Sequence, residues 1–138
     1  MSTLKIDLYT DIACPWCLIG HHRLDTVIAR HFGGLAIDIE HHPLLLFPDC
    51  PPQGMNIAEL MQARGLDPLL VRARPEAEAR AAGLALDLGR QPMLHPTVGG
   101  HTLIRLARAR RTQHALSRAI AAASRRRKDQ LRGNARRL

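Results

Sequence analysis

The chain has 138 residues and 46% apolar side chains, enough for one domain with a core but too few residues for several domains. Aromatic residues make up only 3%, so Leu, Ala, Val and Ile must supply most of that core. No apolar run reaches membrane-spanning length, and a strand pattern starts within four residues of Met1, which argues against a secretory leader and a membrane partner.

The net charge of +8 is uneven. Residues 1–123 carry 13 Lys and Arg against 11 Asp and Glu, whereas residues 124–138 carry 7 against 1. The high isoelectric point therefore belongs mainly to the last fifteen residues, which have no amphipathic period and read as a basic, disordered tail. Such a run can bind nucleic acid through counterion release, but a solvated end without a partner is the simpler expectation.

The first predicted strand is Leu4 to Tyr9, where apolar and polar side chains alternate. Thr10 and Asp11 follow as a turn. A helix is then predicted from the apolar spacing of Leu18, Ile19, Leu24, Val27 and Ile28. Between strand and helix stands Cys14-Pro15-Trp16-Cys17. A cysteine at a helix start meets unpaired N–H groups and the positive end of the helix dipole, which favour thiolate over thiol. A second cysteine three positions on lies one turn away, within reach of a mixed disulfide on the first. Pro15 suits the first helical turn, and Trp16 offers a flat apolar surface for docking. The pattern is that of a dithiol redox centre, with His21 and His22 able to add positive charge nearby but expected to be solvated.

Gly33-Gly34 ends the helix, and Leu35 to His42 alternates as a second strand. Two strands joined by a helix imply a parallel pair. Pro43, the run Leu44 to Phe47 and the loop Pro48 to Gly54 come next. Asn56 is placed to cap a helix over Ile57 to Arg64, and Gly65 to end it. Asp67 and Pro68 start another through Leu70 and Val71, and an alanine-rich stretch from Glu76 to Leu84 reads as a third. After Pro92, Pro96 and Gly99-Gly100, one long helix is expected from His101 to Ala123. The fold class is α/β: residues 1–50 carry the first βαβ half, 51–123 a helical insertion, and 124–138 the tail.

The cysteines could instead serve a metal. A zinc site would need Cys14 and Cys17 with His21 or His22, or with His41, His42, Cys50, His95 or His101 if the fold gathers them. The Cys14–Cys17 segment has no knuckle glycine, and no second ligand pair stands out, so the expectation is that the chain holds no metal. Cys50 reads as an incidental thiol. Three cysteines in a chain without a leader suggest reduced thiols in the cytoplasm.

Asp11-Ile12-Ala13-Cys14-Pro15-Trp16-Cys17-Leu18-Ile19-Gly20 resembles the active-site segment of the DsbA-like thioredoxin-fold oxidoreductases of the FrnE type. Pro43 to Asp49, Gln53-Gly54 and His101 to Ala107 are similar to that family's later segments, the last carrying a characteristic histidine. The resemblance runs from about Leu4 to about Ala123. It implies a thioredoxin-like fold interrupted by a helical insertion, with Cys14 as attacking thiol, Cys17 as resolving thiol and His101 as a possible supporting residue. It further implies disulfide or dithiol substrates, protein or small molecule, and no cofactor beyond the dithiol itself. The related glutathione-transferase-kappa and chromene-carboxylate-isomerase branch generally lacks the second cysteine, so Cys17 argues against it. The family's closing strands have no counterpart after Ala123, so the expectation is a C-terminally shortened relative. The competing reading is a non-catalytic relative, inactive or binding acidic partners through its tail.

Overall fold

The computed structural model describes the backbone of residues 2–135 and the side chains of residues 2–124. Strand β1 (Leu4–Thr10) leads into helix α1 (Pro15–His31), which returns the chain to strand β2 (Ile37–Pro43). The two strands pair in parallel, with Leu4 opposite Ile37, Ile6 opposite Ile39 and Thr10 opposite Pro43. One face of this ribbon carries Leu4, Ile6, Leu8, Ile37, Ile39 and His41; the other carries Lys5, Asp7, Tyr9, Asp38, Glu40 and His42.

A short antiparallel pair, β3 (Met55–Asn56) with β4 (Met93–Leu94), brackets the helical region. Within it lie α2 (Ile57–Ala63) and α3 (Pro68–Ala81). Both begin where the sequence predicts. Asn56 Oδ1 accepts from the N–H groups of Ala58 and Glu59 at 2.9 and 3.2 Å, and Asp67 Oδ1 accepts from Leu69 N–H at 2.9 Å. The two helices expected over residues 68–71 and 76–84 are one. Pro75 lies inside α3 and removes a backbone bond, but Pro75 and Ala79 are both buried, and that packing carries the helix through.

The expected long helix from His101 to Ala123 is two: α4 (Val98–Leu106) and α5 (Gln113–Ala135). A 3₁₀ turn at Ala107–Arg110 and a left-handed Arg111, φ 55°, separate them. Neither glycine nor proline marks the break. The turn lets α4 and α5 pack on each other and on β2, and it seats the buried side chain of Gln113 where its Oε1 accepts from His41 N–H at 3.2 Å. Helix α5 also runs to Ala135, into the segment whose composition predicts a disordered end. The side chains of that basic run, and residues 136–138, lie outside the described residues, as does any role of the tail in binding.

The core is small. Ile19, Met61, Ala79, Leu94, Ile104, Ala107 and Ala121 are its buried apolar residues, and Thr10, Asp11, His21, His41, His101, Gln113 and Ser117 are buried with them. Buried polar groups need partners. Where those partners lie defines the candidate site. Among the described residues, no helix is long and apolar enough to cross a membrane.

Candidate active site

Cys14 is the N-cap residue of α1, in extended conformation, with Pro15 at the first helical position. The turn that delivers it from β1 is closed by Cys14 N–H donating to Asp11 O at 3.0 Å, and the helix opens with Leu18 N–H donating to Cys14 O at 3.2 Å. Cys14 and Cys17 are both free thiols and both half-buried. Trp16 is 44% exposed, and its ring lies 5.8 Å from the Arg74 guanidinium of α3, which joins the helical region to the edge of the site.

The two thiols form one titrating unit. Hydrogen bonding from the Cys14 thiol lowers Cys17 to about 6; burial opposes this, and the Asp11 N–H and the Thr10 hydroxyl add to it. The same bond to Cys17, with burial, pushes Cys14 up, against the backbone N–H groups of Cys17 and Trp16 at the helix start. The first proton of the pair therefore leaves well below the ordinary thiol range and the second is held. The sequence predicts a low value at Cys14; the structure puts the low value at Cys17, because two thiols in contact share one proton. Among the described residues, Thr10 Oγ1 is buried and makes no hydrogen bond of ordinary geometry.

Beneath the thiols lies a pair that sequence reading only half found. Asp11 is 1% exposed and His101 5% exposed, with His101 Nε2 3.3 Å from Asp11 Oδ1. The same carboxylate accepts from Ala13 N–H at 3.2 Å and from Leu46 N–H at 2.9 Å. One side chain thus ties the redox turn, the Leu44–Phe47 segment and α4 together. Gly100, just before His101, allows the approach: a Cβ there would sit 2.5 Å from Ile12 Cδ1. The sequence points to His101, yet reads Asp11 as a plain turn residue. Its position three before Cys14 was the available signal.

The other histidines serve elsewhere. His22 Nε2 lies 2.9 Å from Ala82 O, which joins α1 to the end of α3. His21 is buried rather than solvated, and its ring packs edge-on against His41, centroids 5.4 Å apart. His41 Nε2 lies 2.9 Å from His114 Nδ1, and His114 Nε2 lies 2.5 Å from Asp25 Oδ1, where Arg118 also docks. With His114 donating to Asp25, its Nδ1 must accept, so His41 donates from Nε2 and keeps a bare lone pair on Nδ1. Among the described residues, that nitrogen is buried without a partner. Burial lowers His21 and His41 to about 4 each, and lowers His114 as well. His21, held neutral by that burial, therefore supplies no positive charge to the thiols at neutral pH.

Nor does the fold gather the zinc set considered from sequence. Cys50 Sγ lies 3.7 Å from the carbonyls of Pro51 and Leu94, beside the β3–β4 pair. Among the described residues, the side chains close enough to share an ion are Asp7, Glu40 and His42, on the open polar face of the ribbon. Lys5 Nζ already lies 3.0 Å from Glu40 and 3.6 Å from Asp7 there.

The geometry agrees with comparison to known proteins. A family model, the DSBA-like thioredoxin domain, matches residues 5–137. Comparison with curated proteins returns no match. Among solved structures the chain is similar to a probable DsbA oxidoreductase from Streptomyces coelicolor, with 26% identity and a TM-score of 0.71. The similarity covers 86% of this chain and 52% of that one, so the chain spans about half the length of its structural relative. A parallel βαβ unit with a cysteine pair at the strand–helix junction, a helical region after it, and a family match over nearly the whole length lead to one conclusion: the chain belongs to the DSBA-like thioredoxin domain family.

Proposed function

We propose that the chain is a thiol–disulfide oxidoreductase in which Cys14 is the nucleophile and Cys17 the resolving thiol. The observation that carries this is the half-buried free dithiol at the start of α1, sharing one proton at a pKa of about 6. Passing that proton from Cys14 to Cys17 leaves a Cys14 thiolate against the first N–H groups of α1. This thiolate attacks one sulfur of a substrate disulfide; a Cys14–substrate S–S bond forms, the substrate S–S bond breaks, and the other sulfur leaves as a thiolate. Cys17, deprotonated in turn, attacks Cys14 and releases the second sulfur. The substrate gains two electrons and the Cys14–Cys17 pair loses them. Run backwards, the same steps oxidise a dithiol.

Pro15 and Trp16 form the surface against which a substrate docks, and His101 acts as a positioning residue through Asp11. On this reading the chain needs no metal or organic cofactor, takes protein or small-molecule disulfides, and works in a reducing compartment such as the cytoplasm.

Trapping tests the assignment. In a Cys50→Ser background, with an aromatic disulfide as probe, the Cys17→Ser chain is expected to accumulate a mixed disulfide at Cys14 rapidly, and the Cys14→Ser chain to form one no faster than a free thiol does. Trapping in Cys14→Ser alone would reverse the two roles. No exchange by the unmodified chain above the rate of a free thiol would overturn the reading.

A further inference from the structure

Helices α1 and α3 lie against each other, and one face of α3 makes the contact. Ala82 O, at the end of α3, meets His22 Nε2 at 2.9 Å, and one turn earlier Glu78 Oε2 accepts from Arg23 Nη2 at 2.7 Å. Another turn back on the same face stands Arg74, because residues four apart on a helix share a side. Its guanidinium lies over the ring of Trp16, 5.8 Å from the centroid. The register of the helix pair therefore sets this cation at the redox turn. Trp16 follows Cys14 by two residues there, and its N–H faces the Cys14 sulfur.

The acids of α3 are occupied elsewhere. Glu78 is paired with Arg23, and Glu76 Oε1 accepts from Leu88 N–H at 2.8 Å and lies 3.8 Å from Arg72 Nε. On the inner side, the Asp11 carboxylate is buried and turned to Ala13, Leu46 and His101. His21 is buried and held neutral, and His22 is turned to Ala82. Arg74 itself is exposed. A ring face holds a guanidinium through its charge and leaves its fork of N–H groups able to bind a carboxylate. Beside a thiolate, which repels anions, such a cation decides which disulfides approach.

Building on the oxidoreductase reading above, we infer that Arg74 is a specificity-determining residue of the dithiol site, selecting disulfides that carry a carboxylate beside the reacting sulfur. The carboxylate docks across Trp16 on Arg74 and is itself unchanged. The Cys14 thiolate attacks the sulfur next to it; the Cys14–sulfur bond forms as the substrate S–S bond breaks, and the other sulfur leaves as a thiolate. Cys17, its proton lost to water, then attacks Cys14 and releases the acidic thiolate. The cysteine pair gives up two electrons and the acidic disulfide takes them.

Reduced Cys50→Ser chains are exchanged, in a single turnover, with two aromatic probes: dianionic dithiobis(nitrobenzoate) and uncharged dithiodipyridine. The readout is the ratio of the anionic to the neutral rate constant, which cancels changes in thiol reactivity common to both. Arg74→Ala is expected to lower that ratio about two- to fivefold, the worth of one exposed ion pair, and Arg74→Glu to lower it further. Arg74→Lys keeps the charge and is expected to hold the ratio above that of Arg74→Ala. Raising ionic strength from about 0.01 M to about 1 M shortens the screening length from about 30 Å to about 3 Å, and is expected to erase most of the difference between the parent chain and Arg74→Ala. Arg80→Glu, an equal change of charge at another exposed position of α3, is the control. No exchange with either probe overturns the oxidoreductase reading and the role of Arg74 with it. Exchange with both, at a ratio that Arg74→Glu leaves unchanged or that Arg80→Glu lowers as much, overturns the role of Arg74 alone. Disulfide-linked peptides with Glu or Gln flanking the cystine separate two sources of the carboxylate. A Glu preference lost in Arg74→Ala supports an acidic peptide, and its absence, with the small-probe preference intact, supports a small acid.

Discussion

Asp11 and His101, ninety residues apart in the chain, meet 3.3 Å from each other under the cysteine pair, both almost fully buried. A buried carboxylate is stable only when its oxygens are occupied, and here Ala13 N–H, Leu46 N–H and His101 share that task. The pair connects the end of β1 to α4 and holds the redox turn from below.

The Asp11→Asn chain is expected to lose about 1–3 kcal/mol of stability, because one amide oxygen cannot replace a carboxylate that accepts on both sides. His101→Ala is expected to fall in the same range of about 1–3 kcal/mol, since it strips a partner from a buried acceptor. Urea unfolding of each variant, with the m-value held constant, measures both. A loss below about 0.5 kcal/mol, the level of an ordinary surface change, would mean that the pair does not hold the turn.

Shared protonation predicts a two-step thiol titration. In a Cys50→Ser background, ultraviolet thiolate absorbance is expected to show one sulfur ionising near the value of about 6 given for Cys17 and the other well above the ordinary thiol value. Cys14→Ala removes the donor and is expected to return Cys17 most of the way to its ordinary 9.0; Thr10→Val is expected to raise it by less. The Cys17 shift is a depression, so the stability it contributes is complete above pH 9 and is lost as pH falls toward 6. If Cys17 still titrates near 6 in Cys14→Ala, the backbone and Thr10 set its value instead.

The histidine cluster predicts acid sensitivity in a separate window. His21 and His41 are lowered from 6.5 to about 4, so between those values the unfolded chain binds more protons than the folded one. Stability is therefore flat with respect to these groups above pH 6.5 and falls as pH drops from there to 4. Each fully buried imidazole accounts for at most about 3 kcal/mol across the window, and the two are coupled. Urea midpoints taken from pH 7.5 down to 4 check the slope, and His21→Leu is expected to flatten it. An unchanged slope in that variant would place the acid sensitivity in other groups.

Gly54 predicts a backbone effect far from the thiols. It has φ +86°, and a Cβ there would lie 2.5 Å from Leu94 O. Gly54→Ala is expected to cost about 1–3 kcal/mol, since both the left-handed backbone and the rigid carbonyl oppose it. Gly65, also left-handed at φ +71° but in open space, is the control: Gly65→Ala is expected to cost about 1 kcal/mol, the backbone share alone. Equal losses at the two sites in thermal unfolding would show that the Leu94 contact is relieved without penalty.

Much of the fold was legible in local chemistry. Alternation in Leu4 to Tyr9 and around Ile37 to His42 marked the parallel pair, and Asn56 and Asp67 marked two helix starts, because a cap satisfies N–H groups only two or three residues away. The cysteine pair was legible for the same reason, since its setting needs one strand end and one helix start. What failed were the judgements that depended on how distant helices pack. Residues 68–71 and 76–84 read as two helices but are one, carried through Pro75 by burial, and Ala107 to Thr112 reads as helix but forms a 3₁₀ turn and a left-handed Arg111, so that Gln113 can reach β2.

By itself, then, the sequence determined the βαβ order, the starts of α1, α2 and α3 and the candidate dithiol, all set by neighbours within one or two turns. Only the tertiary structure decided that Asp11 lies against His101, that His21 turns into a buried cluster with His41 and His114, and that the low thiol value falls on Cys17. Those outcomes depend on desolvation and on hydrogen bonds between segments up to ninety residues apart, and neither is written in the local pattern of a chain.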